Sequence, residues 1–166
     1  QVFAYFPLAA VISKKILCMH GGLSPALNSL DDLRRLERPI PKPDKGLAQD
    51  MLWADPSHSV VGFEANKMRS VSVNFGETEV RDRLRKLGVS KIIRAHQVVQ
   101  HGWSVFANGA VITVFSATRY QDEMCNYGAI VDVKKNLEIG IVMIKPSEFD
   151  ENKSNMQDQL TVDISA

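Results

Sequence analysis

Ile16-Leu17-Cys18-Met19-His20-Gly21-Gly22 and Lys91-Ile92-Ile93-Arg94-Ala95-His96 are the two stretches that decide the fold. Each is a short, mostly apolar run that ends on an imidazole. Such a run, bounded by turn signals, reads as a buried strand. Gly21 and Gly22 end the first one in a tight loop, and they let the backbone approach closely whatever lies there. In open α/β sheets, ligands collect outside the carboxyl ends of strands. Two histidines at such ends can meet at one metal centre. Taken singly, a strand-end histidine is more often a hydrogen-bonded core residue than a ligand. Hard metals that act on phosphate also want carboxylates. Spacing alone leaves both readings open for His20 and His96.

Working outward, Asp31 to Arg38 has helical composition, with Leu30, Leu33 and Leu36 on one side and Pro39, Pro41 and Pro43 to stop it. Gly46 to Trp53 reads as a short helix ending before Asp55-Pro56, and residues 57–67 as a polar loop. Val71 to Phe75 alternates apolar and polar residues, which predicts a strand. Glu77 to Leu87 is the best helix: Val80, Leu84 and Leu87 share a face, Arg81, Arg83 and Arg85 are expected to face water, and Gly88 ends it. From Ser104 the pattern changes to hairpins. Asn108-Gly109 joins Val105-Phe106 to Val111–Phe115, and Lys134-Lys135-Asn136 joins Ala129–Val133 to Leu137–Ile144. Mixed strands and helices followed by hairpins predict an α/β fold, sheets in layers with helices outside. Residues 147–166 are polar and are expected to be a disordered tail.

Composition sets bounds. The 166 residues suit one domain or a large piece of one. With 45% apolar and 23% charged residues, the chain can build a core. A net charge of +1, from 20 basic and 19 acidic residues, exerts no global pull on nucleic acid or membrane, so an anion site must be local. Cys18 and Cys125 belong to no CxxC pair, which argues against thiolate zinc and for free thiols in a reducing compartment, cytoplasmic or nuclear. Val2 to Ile12 is too short for a bilayer, which needs ~20 residues, and lacks a basic leader. It reads as a core segment entered midway, and a chain opening on Gln1 is expected to be truncated there.

Three further residues suit phosphate chemistry. Arg69 follows a polar loop and precedes a strand, where a guanidinium can bind phosphate bidentately or simply be solvated. Asp55 precedes Pro56, a pattern that equally caps a turn. Tyr120 can bond a substrate oxygen or pack with its hydroxyl in water.

At these residues the chain resembles a known family. His20-Gly21-Gly22-Leu23-Ser24-Pro25 resembles HGGLSP, Leu52-Trp53-Ala54-Asp55-Pro56 resembles LWSDP, and Arg69-Ser70-Val71-Ser72 with Phe75-Gly76 resembles RGVS…FG. Arg94-Ala95-His96-Gln97-Val98-Val99 matches RAHQVV, Phe115 to Tyr120 resembles FSAPNY, and Asn126 to Ala129 resembles NAGA. These are motifs of the phosphoprotein serine/threonine phosphatases, type-one-like, and the match runs in order from about Phe3 to Pro146. The resemblance implies a calcineurin-like metallophosphatase β-sandwich with flanking helices, of which residues 1–146 would be the carboxy-terminal half. It implies two divalent metal ions, manganese and/or iron with zinc, and a metal-activated water that attacks the phosphorus of phosphoserine or phosphothreonine in proteins. His20 and His96 would ligate one metal, Arg69 would clamp the phosphate, Tyr120 would line the cleft and Asp55 would support the site.

Several features depart from that pattern. GDxHG, GDxVDRG and GNHE, which carry the remaining ligands, do not occur. The chain alone is therefore expected to be inactive. The alternative is a non-catalytic relative that binds phosphoproteins. Ser70 replaces a glycine, Thr118-Arg119 replaces Pro-Asn, and Gln121 replaces a cysteine. Lys91 and Ser90 stand where the type-one docking groove has leucine and aspartate, which speaks against use of that groove. Expected partners are phosphoprotein substrates and regulatory subunits, not nucleic acid or membrane.

Overall fold

The computed structural model describes residues 2–121, 124–146 and 159–163. They fall into two units. The first runs to His96 and takes in Val105–Ile112; the second comprises Gln97–Ser104 and the chain from Thr113 onward.

The first unit is organised by the parallel pairing of β2 (Ile16–Met19) with β6 (Lys91–Arg94), in which Cys18 faces Ile93. These are the two apolar runs of the sequence. Ile16, Leu17 and Ile92 are fully buried, as strands covered on both faces require. β1 (Ala9–Ile12) folds back antiparallel on β2. β8 (Val111–Val114) and β7 (Trp103–Phe106) complete the order β1-β2-β6-β8-β7 and run on into the second unit. Their turn has Ala107, Asn108 and Gly109 all at positive φ, as the Asn-Gly signal predicts. A smaller sheet has the order β3 (Asp55–Pro56), β5 (Val73–Phe75), β4 (Phe63–Ala65). The core gathers Leu17, Leu23, Met51, Phe75, Val80 and Ile92 from these strands, the loops and the helices.

Helices α2 (Gly46–Trp53) and α3 (Glu77–Leu87) occupy the predicted ranges. Gly88 closes α3 in the left-handed conformation, φ 67°. A methyl there would meet nothing within 4 Å. Gly88→Ala should therefore destabilise the chain through the backbone alone, by about 1–2 kcal/mol in urea unfolding.

Four expectations need correction. Helix α1 (Leu30–Arg34) stops at Arg34 and does not reach Arg38. Ser29 and Asp32 cap its start reciprocally, while Pro39 biases Arg38 away from helical geometry. Arg83 does not face water. It is 6% exposed; its Nη1 donates to Asn28 Oδ1 at 2.6 Å, its Nη2 donates to the Pro25 carbonyl, and its guanidinium lies over the Phe63 ring. Position 83 borders the apolar stripe of Val80 and Leu84, so a long stem lies inward and the charge finds oxygens at its tip. The segment from Val2 is not uniformly core: Val2, Phe3, Tyr5 and Phe6 are exposed on and beside a single 3-10 turn. Only from Leu8 does the chain pack on the core. The loop of residues 57–67 contains β4, and β5 begins at Val73 because Ser70 and Ser72 take positive φ.

The second unit contains the second predicted hairpin, β9 (Gly128–Val133) and β10 (Ile139–Ile144), with Ile139 facing Val133. β11 (Gln159–Asp163) pairs antiparallel with β10. The rest of the tail expected over 147–166 lies outside the described residues. Cys18 and Cys125 are both free thiols. Among the described residues, no helix is long and apolar enough to cross a membrane.

Candidate functional site

Parallel neighbours end on the same side of a sheet, so the register that sets Cys18 opposite Ile93 brings the residues after both strands together. The Ala95 N–H donates to the His20 carbonyl at 3.0 Å. His20 Nε2 and His96 Nδ1 then face each other at 3.1 Å. The loop after His20 lies flat on the end of α2: Gly21 N–H donates to the Met51 carbonyl, and a methyl on Gly21 would run into the backbone of Leu52 and Trp53. His96 sits at φ 67°, which a non-glycine residue adopts only when its surroundings hold it there. They do so here. Trp53 packs edge-on against its ring at 5.2 Å, and its carbonyl accepts from Arg69 Nη2 at 3.2 Å.

Both rings are kept neutral. Desolvation, then the charge of Arg69, lowers the His96 pKa to about 4. His20 is lowered by desolvation, then by Arg94 and Arg69. Neutral imidazole is the form that ligates a metal. Two nitrogens each ~2.1 Å from one ion and at right angles around it stand about 3.0 Å apart, close to the separation found here. His96 Nε2, the ring nitrogen that does not face His20, is buried and has no hydrogen-bond partner among the described residues. The pair thus fits two positions around a divalent ion. Among the described residues no group of three or more His, Cys, Asp or Glu could hold a metal, so the described residues offer these two donors and not a full shell.

Beside the imidazoles lies a buried ion-pair network. Asp55, 4% exposed, accepts from Arg94 Nη2 at 2.9 Å on one oxygen, and from Arg69 Nε and Asn66 Nδ2, both at 3.0 Å, on the other. Burial pushes its pKa up, but the Arg69 hydrogen bond, the Arg94 charge and the Asn66 bond together outweigh it and hold it below the ordinary range. Arg94 also donates to the Gly21 and Ala54 carbonyls; burial lowers its pKa to about 10, and it stays charged at neutral pH. Arg69 is thereby held on one side by the Asp55 carboxylate and the His96 carbonyl. Its Nη1 makes no hydrogen bond among the described residues.

Four of the five residues singled out in the sequence, His20, His96, Arg69 and Asp55, therefore converge. Asp55 is a doubly paired buried carboxylate and not a turn cap. Tyr120 belongs to the second unit. There its ring packs edge-on against Phe115 and its N–H donates to Asn126 Oδ1, while buried Asn126 donates to the Ala117 and Tyr127 carbonyls. Sequence reasoning missed Arg94 and Asn66, both of which bond Asp55. Arg94 did carry a signal, a charge inside an otherwise apolar strand, since buried charges need partners.

Paired neutral imidazoles beside a braced arginine suit a metal-dependent phosphate site. The chain belongs to the calcineurin-like phosphoesterases, whose family model matches residues 1–100. It is 44% identical over 147 residues to the serine/threonine-protein phosphatase PP1-delta of Caenorhabditis elegans, covering 89% of this chain and 48% of that protein. A second serine/threonine-protein phosphatase of the same organism is 42% identical over 149 residues, with 90% and 32% covered. Among solved structures, a protein serine/threonine phosphatase from Saccharomyces cerevisiae, described as similar to human phosphatase PP5, superposes with a TM-score of 0.72 and 28% identity. That match covers all of this chain and 49% of the yeast one. The chain thus spans between a third and a half of the length of these relatives. Membership of the family implies divalent metal ions.

Proposed function

We propose that this chain supplies two metal ligands, His20 and His96, and a phosphate-binding guanidinium, Arg69, to a site that hydrolyses phosphoserine and phosphothreonine in proteins. The observation that carries the reading is the 3.1 Å approach of two neutral imidazoles beside Arg69. Names of the relatives support the substrate class. Two ions, manganese and/or iron with zinc, are the expected complement, with further ligands needed to complete their shells.

When bound, the metal supplies Lewis acidity and acidifies water for attack on phosphorus. His20 and His96 hold it through the facing nitrogens. Arg69 offers charge-assisted hydrogen bonds to the phosphate oxygens. Asp55 and Arg94 fix the direction of that guanidinium, and Trp53 excludes water from one side of His96. Tyr120 takes no step in this chemistry, and no regulatory subunit is placed on the surface at Ser90 and Lys91.

Calorimetric titration of the purified chain with manganese or cobalt tests this. His20→Ala and His96→Ala should each weaken binding by at least about tenfold; affinity unchanged in both variants would sink the reading. A second reading, phosphoprotein binding without turnover, is favoured by the lack of a third ligand in the cluster among the described residues. It predicts that the manganese-loaded chain retains a phosphopeptide without releasing phosphate from it.

A further inference from the structure

Asp50 is a buried carboxylate that the proposed chemistry does not use. It lies on α2 and is 7% exposed. Its Oδ2 accepts from Ser24 Oγ at 2.6 Å, and its Oδ1 accepts from Ser72 Oγ at 2.7 Å. Ser24 belongs to the loop that leaves His20; Ser72 ends the turn that begins at Arg69. The Asp50 backbone joins the same arrangement, since its carbonyl accepts from Gly22 N–H at 3.2 Å. The turn from Arg69 to Ser72 needs such an anchor. Ser70 and Ser72 both sit at positive φ, 57° and 64°, a conformation that side chains disfavour and that relaxes unless held. Its backbone is also tied by Asn66 N–H to the Ser72 carbonyl at 3.0 Å and by Arg69 N–H to Asn66 Oδ1 at 3.1 Å, and its Arg69 side chain by Asp55 and the His96 carbonyl.

We propose that Asp50 is a positioning residue that clamps the strained turn carrying Arg69 to the loop carrying His20, so that the guanidinium and the imidazole pair keep a fixed spacing. Each carboxylate oxygen serves one segment. A neutral apolar side chain could fill the space but could not hold both serines. The inference rests on the roles proposed above for His20, His96 and Arg69.

The test is binding of inorganic phosphate to the cobalt-loaded chain, with cobalt affinity read in parallel from the visible spectrum and folding from circular dichroism. Asp50→Ala and Ser72→Ala should each weaken phosphate binding by about 10–100-fold while cobalt affinity stays within a factor of two or so. Asp50→Asn, whose oxygen still accepts from Ser72 and whose amide N–H can donate to Ser24 Oγ, should restore most of the loss. A role limited to stability would lower the unfolding midpoint and leave phosphate affinity of the folded protein unchanged, and that result overturns the inference. Loss that Asp50→Asn does not rescue overturns it too. Should Asp50→Ala not fold, Ser72→Ala, at a half-buried turn, decides alone. If the unsubstituted chain binds cobalt in a His20-dependent way and phosphate in an Arg69-dependent way, a null result in the variants falls on Asp50. If it binds neither, the functional reading fails, and this inference with it.

Discussion

Asp55→Ala should lower the unfolding free energy by about 3–5 kcal/mol, one of the largest losses any single substitution in this chain will cause. The carboxylate is 4% exposed and is the shared acceptor of Arg94, Arg69 and Asn66. Removing it takes from Arg94, itself 1% exposed, the carboxylate that its Nη2 meets at 2.9 Å, while its bonds to the Gly21 and Ala54 carbonyls stay. A buried cation that loses its carboxylate makes a broken ion pair expensive, far more than the net worth of the intact pair. Urea unfolding followed by tryptophan fluorescence reads the loss. Asp55→Asn should lose less, because it keeps one oxygen to accept and loses only the charge. Equal stability of Asp55→Ala and the unsubstituted chain would mean that the arginines find water or other partners.

Phe75→Ala should cost a similar amount, about 3–5 kcal/mol. The ring is fully buried, packs edge-on to Phe106 at 6.4 Å, and presses on the backbone of Gly22. A methyl on Gly22 would collide with that ring and crowd the Ala54 carbonyl. Gly22→Ala should therefore destabilise by about 1–3 kcal/mol through overpacking. In the Phe75→Ala background most of that penalty should vanish, because the space is then open; the crowding at Ala54 remains. A double-mutant cycle measures the coupling. Additive effects would show that the Gly22 loop and the ring do not meet. The point matters for the site, since this loop leads directly from His20.

Much of the local structure was legible. The apolar runs before His20 and His96, the helix from Glu77 to Gly88 and the Asn108-Gly109 turn all carry patterns set by near neighbours in the chain. Helix α1 was overextended because the leucine spacing runs on to Leu36, two residues past the end of the helix at Arg34. Arg83 was misplaced because periodicity marks a face, yet a long side chain at its border can lie inward if oxygens await its tip. The exposed start of the chain was read as core on its composition alone, and composition does not say what lies against a segment.

The site divides along the same line. His20, Arg69, Asp55 and His96 could be nominated from residue type and motif, but not joined. Asp50, Ser24 and Ser72 gave no sign of belonging together, because they come from three segments and each has an ordinary local role.

What the sequence determined by itself is the set of elements and the residues at their ends, since hydrophobic period, glycine and proline act over a few positions. Only the tertiary structure decided that β2 and β6 are parallel neighbours, that Asp55 is shared by two arginines, and that His96 is held at positive φ. Those depend on contacts between residues up to 76 positions apart, and distance along the chain carries no information about which strand lies beside which.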